Sequence, residues 1–165
     1  MVLIGIGANL PGPDGVPPIE TCRRAVVALD AVPGLRVRGL SRWYTTAPVP
    51  VSSQPPYING VAHLVGVAEP AALLAVLQAM EARAGRVRGE RNAARVLDLD
   101  IIAMGAEGRM VRSAPDPVLP HPRAHERAFV LVPLRDVAPD WVHPILGRSV
   151  AALIAALPAQ QISAL

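Results

Sequence analysis

The segment Val96-Leu97-Asp98-Leu99-Asp100-Ile101-Ile102 sets two carboxylates two positions apart in an otherwise apolar run. In an extended strand successive side chains point to opposite faces. Asp98 and Asp100 then share one face, about 6.5 Å apart at Cα, and Leu97, Leu99 and Ile101 enter the core from the other. Two anions on one sheet face repel, so the arrangement asks for a cation. Magnesium suits it, because this ion takes one or two carboxylates together with phosphate oxygens rather than a full protein cage. Just upstream, Arg83, Arg86, Arg88, Arg91 and Arg95 place five of the sixteen basic residues within thirteen positions. Guanidinium forks match phosphate oxygens two at a time. Arginine forks followed by a paired-carboxylate strand read as a site for a nucleoside triphosphate and a metal. The plainer alternative is a solvated basic turn leading into a strand with Asp–Arg pairs.

Several elements must position these groups. Residues 2–6 read as a short buried strand, with Gly5, Gly7 and Asn9 following in a pattern that permits close backbone approach. Pro17 and Pro18 suit the first turn of a helix carrying Ile19, Cys22, Val26 and Leu29 inward, and Pro33-Gly34 stops it. Residues 35–44 alternate as one strand. A proline- and serine-rich loop over 45–56 is long enough to be functional. A strand over 57–67 and a helix opened by Pro70, with Leu73, Leu77, Met80 and Ala84 inward, precede the acidic strand at 96–104. Residues 105–108 read as a hairpin turn, with 109–111 returning as an edge strand. Helices are expected over 127–137, irregular at Pro133, and over 149–157. The order β-α-β-β-α-β is the ferredoxin-like split pattern. The expected fold is therefore α+β, an antiparallel sheet with helices on one face plus C-terminal helices, and the chemistry belongs on the uncovered face.

Composition limits the classes. A chain of 165 residues reads as a single domain over 1–165, and 52% hydrophobic with 18% charged residues excludes a disordered one. The net charge of +3 is too small to argue for nucleic acid. An RNA-binding sheet of this class also wants exposed aromatics where this chain has aliphatics and aspartates. The one cysteine, Cys22, lies on an apolar helix stripe and reads as a buried, inert thiol in a reducing compartment. No leader and no stretch near the roughly 20 apolar residues of a membrane helix is visible, so the expectation is a cytoplasmic protein with no membrane partner.

Read in order, several segments resemble the 6-hydroxymethyl-7,8-dihydropterin pyrophosphokinase family. They are Ile4-Gly5-Ile6-Gly7-Ala8-Asn9-Leu10, the run 41–49, Gln54-Pro55-Pro56-Tyr57-Ile58-Asn59, the run 81–102, and Leu119-Pro120-His121-Pro122-Arg123 continuing through Glu126-Arg127-Ala128-Phe129 to Pro133-Leu134. The resemblance spans roughly residues 2 to 145. It implies transfer of pyrophosphate from ATP to the pterin hydroxymethyl group, with release of AMP, by a monomer that needs two magnesium ions. By the same resemblance Asp98 and Asp100 are the metal ligands and act in catalysis with Arg86 and Arg95. Thr46, Val49, Tyr57, Asn59 and Phe129 would bind the pterin, with Tyr57 and Phe129 stacking on its two faces. Glu81, Arg88, Ile101, His121 and Arg127 would serve ATP. Read alone, Tyr57 and Phe129 are better taken as core aromatics and His121 as a surface loop residue. His63, His125, His143, Trp43 and Trp141 are read as structural. The chain departs from the family pattern at Ala47, Asn92, Asp116 and Pro122, which touches loop closure and part of the nucleotide contacts. The competing assignment is another magnesium-dependent nucleotidyl-transfer enzyme on a ferredoxin-like fold, which leaves the proline-rich loop feeding Tyr57-Ile58-Asn59 unexplained.

Overall fold

The alternation that puts Leu97, Leu99 and Ile101 on one side of their strand is what the fold uses to stack its layers. A computed structural model describes residues 1–47, 53–85 and 95–165. Arg86, Arg88 and Arg91, together with Val49 and Asn92, lie outside the described residues. The strands are β1 (Val2–Ala8), β2 (Leu35–Leu40), β3 (Tyr44–Thr46), β4 (Tyr57–Gly66), β5 (Asp98–Met104) and β6 (Ile162–Ala164); the helices are α1 (Pro18–Asp30), α2 (Pro70–Arg83), α3 (Ala128–Val137) and α4 (Val150–Ala155). All strand pairs are antiparallel, in the order β5-β1-β4-β3-β6, with β2 also on β4.

On one face of the sheet Val2, Ile4 and Ile6 of β1, Leu64 of β4 and Leu97, Leu99 and Ile101 pack under α1 and α2 through Cys22, Leu29, Leu73 and Leu77. Burial pushes the Cys22 thiol up to about 12, so it is inert. Helix α1 starts at Pro18, where the missing N–H costs nothing. Helix α2 is capped by Glu69, whose carboxylate accepts from the Ala71 and Ala72 N–H groups at 3.1 and 2.8 Å. Among the described residues no helix is long and apolar enough to cross a membrane.

Three departures from the expected pattern have tertiary causes. The strand expected over 35–44 breaks at 41–43. There the Ser41 hydroxyl takes the Val61 N–H at 2.9 Å, and the Trp43 ring lies where a Cβ on Gly60 would be 2.6 Å from Cε3. The return strand at 109–111 does not form. Instead the backbone of His121 donates to the Ile102 carbonyl at 2.8 Å, so the segment after Leu119 occupies that edge of β5. The second sheet face is not bare. Leu3, Val61 and Ile102 pack beneath α3 and α4 through Leu131, Leu134, Val150 and Leu153, with Trp141 closing the cluster. Trp141 Nε1 donates to the Gly108 carbonyl at 2.9 Å, which fits its structural role.

Candidate active site

Register decides what shares the α3 side of the sheet. Asp98 and Asp100 lie opposite Gly7 and Gly5 of β1, and these lie opposite Asn59 and Val61 of β4. Residues directly opposed across a sheet share a face. One surface therefore runs from the two aspartates, over two glycines, to Asn59. Next to it Tyr57 pairs with Thr46 of β3. The glycines keep the middle of this surface at backbone height: a Cβ on Gly7 would lie 2.9 Å from Asn59 Oδ1.

The acidic end is electrostatically tense. Arg95 Nη1 lies 3.1 Å from Asp98 Oδ1, and His121 Nε2 lies 4.0 Å from Asp100 Oδ1. Loss of water around Asp100, with the Asp98 charge beside it, raises its carboxyl to about 7 against the pull of Arg127 and Arg95. Burial and the nearby Arg127 charge hold His121 down to about 4, so its imidazole is neutral at physiological pH. His121 Nδ1 accepts the Arg123 N–H at 3.1 Å, which leaves the ring proton on Nε2, facing Asp100. Arg127, at the entrance to α3, holds its guanidinium 5.4 Å from the Phe129 ring centroid.

Toward the other end, Asn59 Nδ2 donates to Thr46 Oγ1 at 2.8 Å while its Oδ1 lies over Gly7. Tyr57 is half-buried on the same face, and Phe129 sits in the first turn of the helix that covers it. Helix α3 is fastened to β3 at its far end, where the Tyr44 hydroxyl donates to Asp136 Oδ2 at 2.7 Å.

Two of the expected ATP residues stand differently from the rest. Ile101 turns its side chain into the core under α1 and α2, because it alternates with Asp100. Only its backbone is placed to serve a ligand. Glu81 is buried on α2, and its carboxylate accepts the Leu99 N–H at 2.9 Å, tying the helix to the strand between the two aspartates. Its place on the stripe of Leu73, Leu77 and Met80 was a readable sign of burial.

One residue that the sequence reading used only for its backbone is Asn9. It is 1% exposed. Its Nδ2 donates to Gln54 Oε1 at 3.2 Å and to the Pro55 carbonyl at 3.1 Å, and its Oδ1 accepts the Arg95 N–H at 2.8 Å. A single amide thus clasps the approach to Tyr57 and the approach to Asp98. A small polar residue ending a Gly-rich strand was the available signal.

Among the described residues no group of three or more His, Cys, Asp or Glu side chains could hold a metal ion. A paired carboxylate in which one member resists ionisation nevertheless fits magnesium, which completes its shell with phosphate and water oxygens. Binding a divalent ion must strip the proton from Asp100, so affinity should fall about tenfold per pH unit below 7 and level off above it. Calorimetric titration of magnesium in two buffers of different ionisation enthalpy should show roughly half a proton released at pH 7. Zero release would mean that Asp100 is already ionised.

The model of the 7,8-dihydro-6-hydroxymethylpterin-pyrophosphokinase (HPPK) family matches residues 3–139. The chain belongs to that family. It is 38% identical over 164 residues to the 2-amino-4-hydroxy-6-hydroxymethyldihydropteridine pyrophosphokinase of Pseudomonas aeruginosa, covering 99% of this chain and 96% of that protein. It is also 38% identical over 152 residues to the Synechocystis protein of the same name, covering 92% and 73%. Among solved structures, Plasmodium falciparum HPPK-DHPS with pterin and p-hydroxybenzoate superposes with a TM-score of 0.69 at 12% identity. That likeness covers 93% of this chain but 42% of the other, and it shows the shared ferredoxin-like fold.

Proposed function

We propose that this chain carries out the HPPK reaction on the surface just described. It transfers the pyrophosphoryl group of ATP to the hydroxymethyl group of 6-hydroxymethyl-7,8-dihydropterin, a step of folate biosynthesis. The observation that carries this is one continuous surface with Asp98 and Asp100 side by side at one end and Asn59, held by Thr46, with Tyr57 beside it at the other.

In the reaction the alcohol oxygen bonds to the β-phosphorus while the bond from that phosphorus to the AMP oxygen breaks, and the alcohol proton is released to solvent. Two magnesium ions bound by Asp98 and Asp100 would supply screening of the phosphate charge. Arg95 and Arg127 present guanidinium forks to the phosphates, and Arg86 and Arg88 are assigned the same task. The neutral His121 offers its Nε2–H as a donor without adding charge. Glu81 serves the nucleotide through β5, whose Leu99 N–H it holds. For the pterin, Asn59 offers Oδ1 as an acceptor while Thr46 fixes its amide, and Tyr57 and Phe129 offer ring faces. Val49 completes the loop on this side. The chain is taken to act as a monomeric single domain in the cytoplasm.

The test is direct. Protein given ATP, magnesium and the reduced pterin alcohol should yield AMP and diphosphorylated pterin in equal amounts. ADP in place of AMP would refute pyrophosphoryl transfer. Asn9→Ala should lower kcat/KM by about tenfold or more, because it frees a partly buried N–H and a carbonyl on the two approaches at once. Steady-state kinetics with each substrate varied should show both KM values rising. A change in one alone would separate the two approaches.

A further inference from the structure

We propose that the segment from Gln160 through β6, which lies beyond the family match ending at residue 139, positions the two walls of the pterin site, with Gln160 setting the turn that carries Phe129. This rests on the assignment of Phe129, Thr46 and Asn59 to the pterin. The first N–H groups of a helix lack intrahelical acceptors, and Arg127, in the cap position of α3, supplies no side-chain cap. Gln160 Oε1 accepts the Ala128 N–H instead, at 3.3 Å, between Arg127 and Phe129. Two residues later the same segment joins the sheet. Ile162 lies opposite Thr46, Ser163 opposite Thr45 and Ala164 opposite Tyr44, and the Leu165 N–H reaches the Trp43 carbonyl at 2.9 Å. Thr46 is the residue that orients Asn59. A few consecutive residues therefore hold both the strand that fixes the asparagine and the helix start that presents the ring.

The arrangement is symmetrical in purpose. Asp136 ties the far end of α3 to β3, and Gln160 ties the near end. Gln160, Ser163 and Ala164 are exposed and Ile162 only half-buried, so the segment adds little to either core. Its removal should therefore disturb ligand geometry more than folding. Gln160 acts through the Ala128 backbone and is a positioning residue, not a catalytic one.

Gln160→Ala should raise the dissociation constant and KM for the pterin alcohol about three- to tenfold. The KM for ATP, kcat and the melting temperature should stay close to wild type. Gln160→Glu, which keeps an acceptor at the same reach, should restore pterin binding. A chain ending at residue 159 should lose pterin affinity by more than Gln160→Ala does. Pterin binding within twofold of wild type in Gln160→Ala, equal losses for pterin and an ATP analogue, or failure of Gln160→Glu to rescue would each overturn the inference. Wild-type protein that binds no pterin would instead overturn the assignment beneath it.

Discussion

Asp100→Asn should cut kcat/KM by ~10³-fold or more while raising the melting temperature at pH 8. The two effects have one origin. Asp100 keeps its proton up to about 7 because burial strips its water and Asp98 stands beside it. Its folded pKa lies above the ordinary carboxylate value, so ionising it weighs against the folded state. That penalty is absent below about pH 4, grows as pH rises toward 7, and is complete above it. Asparagine has nearly the same shape and no charge, so it removes the penalty and with it half of the cation grip. Asp98→Asn should lose as much activity with a smaller gain in stability, because it lifts only the repulsion on Asp100 and leaves that carboxylate's lost hydration in place. The 3.1 Å contact with Arg95 that it gives up is partly exposed and contributes little. Thermal denaturation without added metal, run beside steady-state assays, checks both. An Asp100→Asn protein melting no higher than wild type at pH 8 would remove the argument for a tense carboxylate, and retained turnover in either variant would remove the paired site.

The second large effect is expected at the opposite end of the surface. Phe129→Ala should weaken pterin binding about 30-fold, roughly 2 kcal/mol for the lost ring face, and leave an ATP analogue within about threefold. Selectivity of the loss is the informative part. Phe129 lies within the first turn of α3 with Arg127 stacked on it at 5.4 Å. A variant that disordered α3 as a whole would displace Arg127 together with the ring and harm both ligands. Fluorescence or calorimetric titration with each ligand separates the cases, and equal losses would mean that Phe129 is packing, not a pterin surface.

What could be read from the chain follows the range of the forces involved. Alternation over 97–102 is a local property, and it placed Asp98 and Asp100 on the face away from α1 and α2. Cys22 on its stripe was equally local. The break at 41–43 was not, since it depends on Trp43 finding space above Gly60, a residue on another strand. Nor was β6: Ile162-Ser163-Ala164 is too short to carry a period, and it exists because β3 offers it an edge. The tautomer of His121 and the clasp of Asn9 needed the backbone of Arg123 and Arg95, which no spacing rule brings together. Positions along each segment were legible, and relations between segments were not.

The two glycines between the acid pair and Asn59 have a practical outcome for inhibitors. The floor there is main chain, and even one methyl at Gly7 would meet Asn59 Oδ1 at 2.9 Å, pushing it off Thr46. A compound seated against that floor would touch main-chain atoms that no side-chain exchange can alter directly. Resistance to such a compound would thereby be driven to the flanks, at residues such as Tyr57 and Arg127, where each escape would also alter a contact proposed for a natural ligand.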